Sequence, residues 1–263
     1  MQLKGKTAVI YGAYGAVGST VARAFAREGA RLLVTGRNQV KLDALAKEIS
    51  AQGGEVSAAQ VDAFDEAAVE RHLSAHAQRG AGIDVSFNAI GIPQPGIQGI
   101  PLAELSLESF LAPITAYTKS HFLTARVAVR VMYPRKTGVI LMHTPEPARM
   151  GAPLVGGMGP AWAAIEALSR DLSMEIAAQG LRSVVLRTTG LPETATIDIV
   201  FGLHAKAIGM QPQQFRALME SMSHNRRSTT LAELANAAVF AASDRAGSLT
   251  GTAINLTAGK SAD

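Results

Sequence analysis

The chain has 263 residues, of which 48% are hydrophobic and 17% are charged, and its formal net charge is +4. This composition predicts a folded protein with a sizeable core and excludes a disordered or fibrous chain. Because the chain contains no cysteine, disulfide bonds, thiolate metal sites and cysteine nucleophiles are excluded. We expect no metal site.

The basic residues are scattered, with Arg135-Lys136 and Arg226-Arg227 as the only adjacent pairs. Nucleic-acid binding needs clustered cations, so we expect no nucleic-acid partner, whereas a mild positive charge favours an anionic cofactor. The amino-terminal residues lack the apolar core of a signal peptide, and no run approaches the ~20 apolar residues of a membrane span. We therefore expect a cytoplasmic protein with no membrane partner.

Short apolar runs alternate with longer helical patterns along the chain. The predicted strands are Thr7–Tyr11, Arg31–Thr35, Val56–Val61, Val85–Asn88, Gly138–His143, Arg182–Arg187 and Ala253–Leu256. The predicted helices are Val17–Arg27, Gln39–Ser50, Glu66–Ala77, Leu107–Met132, Ala161–Gln179 and Leu231–Ala241. This alternation predicts one α/β domain over residues 1–263, a Rossmann fold with a doubly wound, seven-stranded parallel sheet and helices on both faces.

A long insertion follows the sixth predicted strand, at about residues 191–227. It contains helical fragments near Ile197–Ala207 and Gln213–Ser223. In an open α/β sheet such a segment lies over the carboxyl ends of the strands, where ligands bind. We interpret it as a helical lid; the alternative is a packed helical excursion or an oligomer surface.

A glycine-rich turn, Gly12-Ala13-Tyr14-Gly15-Ala16-Val17-Gly18, joins the first strand to the first helix. Glycines allow a tight turn and a close approach of backbone N–H groups to a pyrophosphate, and the helix dipole favours an anion. This context predicts a dinucleotide site.

The motifs resemble those of the short-chain dehydrogenase/reductase family over nearly the whole chain. Gly12 and Gly18 match the outer glycines of its cofactor turn, and Ala16 stands where the middle glycine is expected. Segments later in the chain are similar to the family's adenine-contacting aspartate segment, to its Asn-Asn-Ala-Gly motif and to its Pro-Gly-x-x-x-Thr motif. The resemblance implies cofactor contacts at Gly12, Tyr14, Gly15, Ala16, Val17, Gly18, Arg37, Asp62, Ala63, Asn88, Ala89, Gly91, Trp162, Gly190 and Thr194.

The second strand ends in Gly36-Arg37, where NAD-preferring relatives carry an acidic residue. Arg37 offers a charged hydrogen bond to a 2′-phosphate, so we expect NADP(H) to be favoured over NAD(H). The alternative is that Arg37 stacks on the adenine or lies in solvent.

The family's Tyr-x-x-x-Lys pair is missing, since no tyrosine of the chain is followed four places later by lysine. Alignment places Met158 at the tyrosine position and Trp162 at the lysine position. Pro145 and Tyr117 stand at the serine and asparagine positions. Carbonyl reduction by the family mechanism is therefore expected to be crippled.

Replacement proton-handling groups are sought among His143, Thr144, Glu146 and Tyr117. Strand alternation places His143 on the side of Pro145, and a histidine titrates near neutrality. Glu146 is a base or a partner of His143, Arg149 is a potential anion anchor, and His121 follows Tyr117 by one helical turn. The alternatives are that His143 is a structural core histidine, that Glu146 and Arg149 lie in a solvated loop, and that Tyr117 is a buried structural tyrosine.

The leading hypothesis is an NADP(H)-binding oxidoreductase of atypical mechanism that acts on a small organic carbonyl or alcohol. The alternatives are a catalytically silent nucleotide-binding sensor or scaffold and a non-redox isomerase or lyase. The two longest helices, at 107–132 and 161–179, resemble those that pair in the family, so we expect a homodimer or homotetramer.

Overall fold

The computed structural model describes residues 1–78 and 82–262. The strands are β1 (Thr7–Tyr11), β2 (Arg31–Gly36), β3 (Val56–Gln60), β4 (Val85–Asn88), β5 (Gly138–Pro145), β6 (Leu181–Thr188) and β7 (Thr252–Leu256). The α-helices of the described residues are α1 (Ala16–Arg27), α2 (Gln39–Ala51), α3 (Glu66–Gln78), α4 (Leu107–Met132), α5 (Met158–Ile176), α6 (Ala195–Ala207), α7 (Pro212–Ser221) and α8 (Leu231–Ala242).

The strands form one parallel sheet in the order β3-β2-β1-β4-β5-β6-β7. One apolar core joins the sheet to α1, α2 and α8, and a second joins its other face to α3, α4 and α5. This is the predicted single-domain Rossmann fold. Because the strand order reverses between β1 and β4, a ligand crevice is expected outside their carboxyl ends.

Local signals explain several helix starts. Asn38 and Ser106 accept hydrogen bonds from backbone N–H groups of the first turns of α2 and α4, at 3.0 and 3.1 Å. Thr230 and Glu233 form a capping box at α8. Such caps satisfy N–H groups that have no partner inside the helix.

The main differences from the predicted elements lie beside the crevice. β5 continues two residues further than predicted, to Pro145, and α5 begins at Met158 instead of Ala161. A Cβ atom at Gly157 would overlap the Phe110 carbonyl oxygen, so a glycine is required where α4 and α5 approach each other. None of the described helices is long and apolar enough to cross a bilayer.

Candidate active site

A cavity of about 350 Å³ lies at the carboxyl ends of the strands. It reaches from the turn after β1 to α6 and α7, which lie in the predicted insertion and form one wall. Most of the wall is apolar: Ile90, Pro145, Pro147, Leu154, Val155, Trp162, Leu191, Ile197, Val200, Phe201, Ile208, Phe215 and Met219. Its apolar lining and few polar groups are typical of a small-molecule site.

The glycine turn after β1 fits a dinucleotide pyrophosphate. Gly12 has φ +68°, and a Cβ there would lie 2.8 Å from the Ala89 carbonyl oxygen. A Cβ at Gly18 would lie 2.6 Å from the Gly12 carbonyl oxygen. Gly15 is the N-cap of α1 and no side chain caps this helix. The turn therefore leaves the amino-terminal N–H groups of α1 without a side-chain acceptor, as anion binding requires.

Two cations follow β2: Arg37 directly after the strand and Lys41 in the first turn of α2, where it lies over the Tyr14 ring. The Tyr14 ring packs on Gly36, where a Cβ would lie 2.7 Å from Tyr14 Cε1, and Lys41 Nζ lies 5.7 Å from the ring centroid. Arg37 is exposed and forms no ion pair with any described residue. Lys41 was missed from the sequence, although it lies one helical turn after Arg37.

The other predicted cofactor residues lie along the same edge of the sheet. Asn88 donates from Nδ2 to Thr124 Oγ1 (3.1 Å), and its Oδ1 accepts from the Ile90 N–H (3.1 Å). Asp62 Oδ1 accepts from the Phe64 N–H (3.0 Å), which holds the turn after β3. The predicted cofactor residues that line the cavity are Gly15, Ala16, Val17, Asn88, Ala89, Gly91, Trp162, Gly190 and Thr194. Those outside its wall are Gly12, Tyr14, Gly18, Arg37, Asp62 and Ala63.

The four residues predicted at the family's proton-relay positions have different environments. Met158 is fully buried in the core and does not line the cavity, whereas Trp162, Pro145 and Tyr117 do. Met158 and Trp162 therefore contribute no carboxyl, hydroxyl or amino group to the cavity.

Tyr117 and His121 lie one helical turn apart on α4, and both line the cavity. Burial raises the Tyr117 pKa to about 12, and the backbone of Ile92 opposes part of this rise. His121 Nδ1 donates to the Tyr117 carbonyl oxygen (2.9 Å). Burial lowers the pKa of His121 to about 4. At neutral pH the phenol is therefore protonated and the imidazole is neutral.

His143 lines the cavity on the same side as Pro145, as strand alternation predicts. Its Nε2 lies 2.9 Å from Thr188 Oγ1. Burial, and secondarily the nearby His121, lower the pKa of His143 to about 4. The expectation that it titrates near neutrality is therefore wrong, because the sequence pattern carries no measure of burial.

Thr144 is not in the cavity wall, contrary to its place among the catalytic candidates. Its Oγ1 donates to Glu166 Oε1 (2.9 Å), and Glu166 is paired with Arg187 through hydrogen bonds of 2.7 and 2.8 Å. Neighbouring residues of a strand face opposite sides, so the placement of His143 in the cavity turns Thr144 towards the opposite face.

Glu146 lies in a short helical turn after β5 and is 7% exposed, so the alternative of a solvated loop is wrong for this residue. Its Oε1 accepts from Lys260 Nζ (2.8 Å), and both residues line the cavity. The expected partner, His143, is replaced by a residue 114 positions away in the chain. Sequence reasoning missed Lys260 because no local pattern marks it. Arg149 is exposed and lies outside the cavity wall.

Comparisons with known proteins agree with this architecture. The family model described as enoyl-(acyl carrier protein) reductase matches residues 12–261. The chain is 32% identical over 190 residues to a 1-deoxy-11-beta-hydroxypentalenate dehydrogenase of Streptomyces exfoliatus, covering 71% of this chain and 67% of the relative. A 2,3-dihydro-2,3-dihydroxybenzoate dehydrogenase of Bacillus subtilis is 26% identical, with coverage of 94% and 93%.

Among solved structures, sorbitol-6-phosphate 2-dehydrogenase from Erwinia amylovora superposes with a TM-score of 0.90 at 22% identity. The alignment covers 97% of this chain and 100% of that chain. This likeness concerns the fold alone, whereas the family model spans nearly the entire sequence. The chain therefore belongs to the short-chain dehydrogenase/reductase family of oxidoreductases.

Proposed function

We propose that this protein is an NADP(H)-dependent oxidoreductase that acts on a small organic carbonyl or alcohol without the Tyr-x-x-x-Lys pair. The observation that carries the proposal is one continuous cavity that joins the open amino terminus of α1 to Tyr117 and His143. The dehydrogenase names of the relatives also support it. When bound, the nicotinamide donates or accepts the hydride.

The chain's own groups then handle the proton at the substrate oxygen. The Tyr117 phenol lines the cavity and its pKa is raised to about 12, so it is protonated at neutral pH and its hydroxyl can donate to a substrate oxygen. His143 is neutral at physiological pH, so it acts as a hydrogen-bonding group or as a base and not as an imidazolium acid. Trp162 carries no charge that would lower the pKa of a phenol. We therefore assign the proton-handling role to Tyr117 and His143.

The preference for NADPH over NADH is assigned to Arg37, directly after β2, and Lys41, in the first turn of α2. Replacing Arg37 by Ala is expected to weaken NADPH binding by roughly 1.5–3 kcal/mol, the range for hydrogen bonds to charged groups. NADH binding is expected to change little, because it lacks the 2′-phosphate. Isothermal titration calorimetry measures both affinities.

The matched control is Arg245→Ala. Arg245 is also exposed. It follows Asp244, which pairs with Lys6 at the amino-terminal end of β1, away from the carboxyl ends of the strands where the cavity lies. This variant is expected to bind NADPH like the wild type. Equal wild-type affinities for NADPH and NADH would remove the NADP(H) assignment.

A catalytically silent nucleotide-binding protein is the second candidate. The observation that favours it is the complete burial of Met158 outside the cavity, at the position of the family's proton donor. In that case NADPH binds but no cofactor oxidation occurs across a broad panel of ketones and aldehydes. Cofactor-dependent turnover of any of them excludes it.

We also infer a cytoplasmic homodimer or homotetramer that associates through α4 and α5. Both helices expose large apolar side chains, including Leu107, Leu111, Phe122 and Met174. Exposed apolar surface of this kind is typical of protein contacts.

A further inference from the structure

Two residues of the cavity wall each carry a buried hydrogen-bond acceptor that has no partner among the described residues. The two acceptors are His121 Nε2 and Glu146 Oε2. A buried acceptor left unpaired is destabilising, and more so when it is charged. A ligand that donates two hydrogen bonds recovers this free energy on binding.

The acceptor character of His121 follows from its other ring nitrogen. Nδ1 lies 2.9 Å from the Tyr117 carbonyl oxygen, which only accepts, so Nδ1 carries the proton. With the pKa of His121 lowered by burial to about 4, the ring is neutral at physiological pH. Nε2 therefore presents a lone pair, and its natural partner is an O–H or N–H donor.

Only one of the two oxygens of the Glu146 carboxylate has a hydrogen-bond partner. Lys260 Nζ donates to Oε1 at 2.8 Å and lies 3.7 Å from Met219 Sδ of α7. This arrangement neutralises the charge of Glu146 but leaves Oε2 as an acceptor. Because the Glu146–Lys260 pair carries no net charge, a ligand ammonium or carboxylate group would meet a repelling as well as an attracting charge and gain little from its own charge. The site favours a neutral donor.

Apolar side chains from α6, α7, the loop after β5 and α5 enclose the rest of the cavity. Burial of a hydrocarbon skeleton against them is favourable because it removes apolar surface from water. We propose that the substrate is a neutral, mostly apolar molecule with two hydroxyl groups, one donating to His121 Nε2 and one to Glu146 Oε2. This inference rests on the proposed function, whose substrate class it names.

The chain provides its own probe of this cavity. Trp162 is the only tryptophan, and it lines the cavity. Its fluorescence can be followed during titration with linear terminal alkanediols of six to ten carbons, and with the monomethyl and dimethyl ethers of each, with and without NADP⁺. At the best-fitting length, each methylated hydroxyl is expected to weaken binding roughly tenfold, as expected for a hydrogen bond to a strong acceptor.

Glu146→Gln tests the second acceptor. The diol is expected to bind this variant no more tightly than the monomethyl ether binds the wild type. Glu55→Gln is the matched control, because Glu55 is also paired with a cation, Arg31, but is exposed before β3. It is expected to keep the full preference for the diol. The double variant Glu146→Gln with Lys260→Met removes both partners and avoids leaving the lysine unpaired.

Equal affinities for the diol and its dimethyl ether in the wild type would overturn the inference. So would an unchanged diol preference in both Glu146 variants, tighter binding of an amino alcohol or hydroxy acid of the same length, or no response of Trp162 to any of the compounds. NADPH calorimetry on the same wild-type sample separates these outcomes from failure of the proposed function, because the cofactor binds whichever substrate class is correct.

Discussion

His121 and His143 line the same cavity, and burial opposes a positive charge on either ring. The pKa of each falls from 6.5 to about 4 in the folded protein. Between these values the unfolded chain binds more protons than the folded protein, so stability is fully present above pH 6.5 and is lost as the pH falls towards 4.

We expect the free energy of unfolding to fall by about 2 kcal/mol per ring between pH 7 and pH 5. Urea unfolding at the two pH values measures this loss. His143→Phe is expected to reduce the loss, whereas His224→Phe, at an exposed histidine, is not. A free energy of unfolding that is unchanged from pH 7 to pH 5 would contradict the neutral state of both rings.

The chemical role of His143 is a separate prediction. Once a substrate is found by screening, His143→Phe is expected to lower turnover by ~10²–10⁴-fold, the range for loss of a general acid–base group, with NADPH binding intact. Tyr117→Phe is the companion variant, because it removes only the hydroxyl. If His143→Phe turns over at the wild-type rate and Tyr117→Phe does not, the proton-handling role belongs to Tyr117 alone.

A series of hydrogen bonds between buried side chains links α6 to the loop after β4. His204 Nε2 lies 3.0 Å from Gln98 Oε1, Gln98 Nε2 donates to Gln94 Oε1 (2.6 Å), and Gln94 Nε2 donates to the Ile92 carbonyl oxygen (2.6 Å). The position of α6 is thereby connected to the loop after β4.

Gln98→Leu removes the middle of this hydrogen-bond series, so His204 and Gln94 both lose their hydrogen bond to Gln98. We expect a loss of about 1–3 kcal/mol in local stability, since the orphaned groups are buried. Faster amide hydrogen exchange in α6 measures the effect. Gln39→Leu, which removes an exposed hydrogen bond to Asp43 on α2, serves as the control. Exchange in α6 that matches the control would show that other contacts hold this helix.

Association of whole molecules is predicted to use the outer faces of α4 and α5. Phe122 is 46% exposed and Met174 is 86% exposed. Introducing Glu at both positions would place charges in a buried apolar interface, so we expect a monomeric mass at micromolar concentration by light scattering.

The matched control for association is Val40→Glu, because Val40 is 79% exposed on α2 and lies outside the predicted interface. It is expected to leave the oligomer intact. A wild-type protein that is already monomeric at micromolar concentration would remove the prediction that α4 and α5 pair between copies of the chain.

The order and type of the main elements could be predicted from the sequence because their signals are local. Alternating apolar runs mark strands, helical periodicity marks α4 over the predicted 107–132, and glycines mark the turn after β1. The start of α5 was misjudged, since the requirement for Gly157 comes from Phe110 of another helix.

By itself the sequence determined the Rossmann architecture, the glycine turn and the absence of a Tyr-x-x-x-Lys pair, because each is a matter of residue type and spacing. Only the tertiary structure decided which polar groups share the cavity. It paired Glu146 with Lys260 from the far end of the chain, committed Thr144 to the Glu166–Arg187 pair, and left His121 and His143 neutral. Long-range pairing and burial set charge and hydrogen bonding, and neither is written in local sequence.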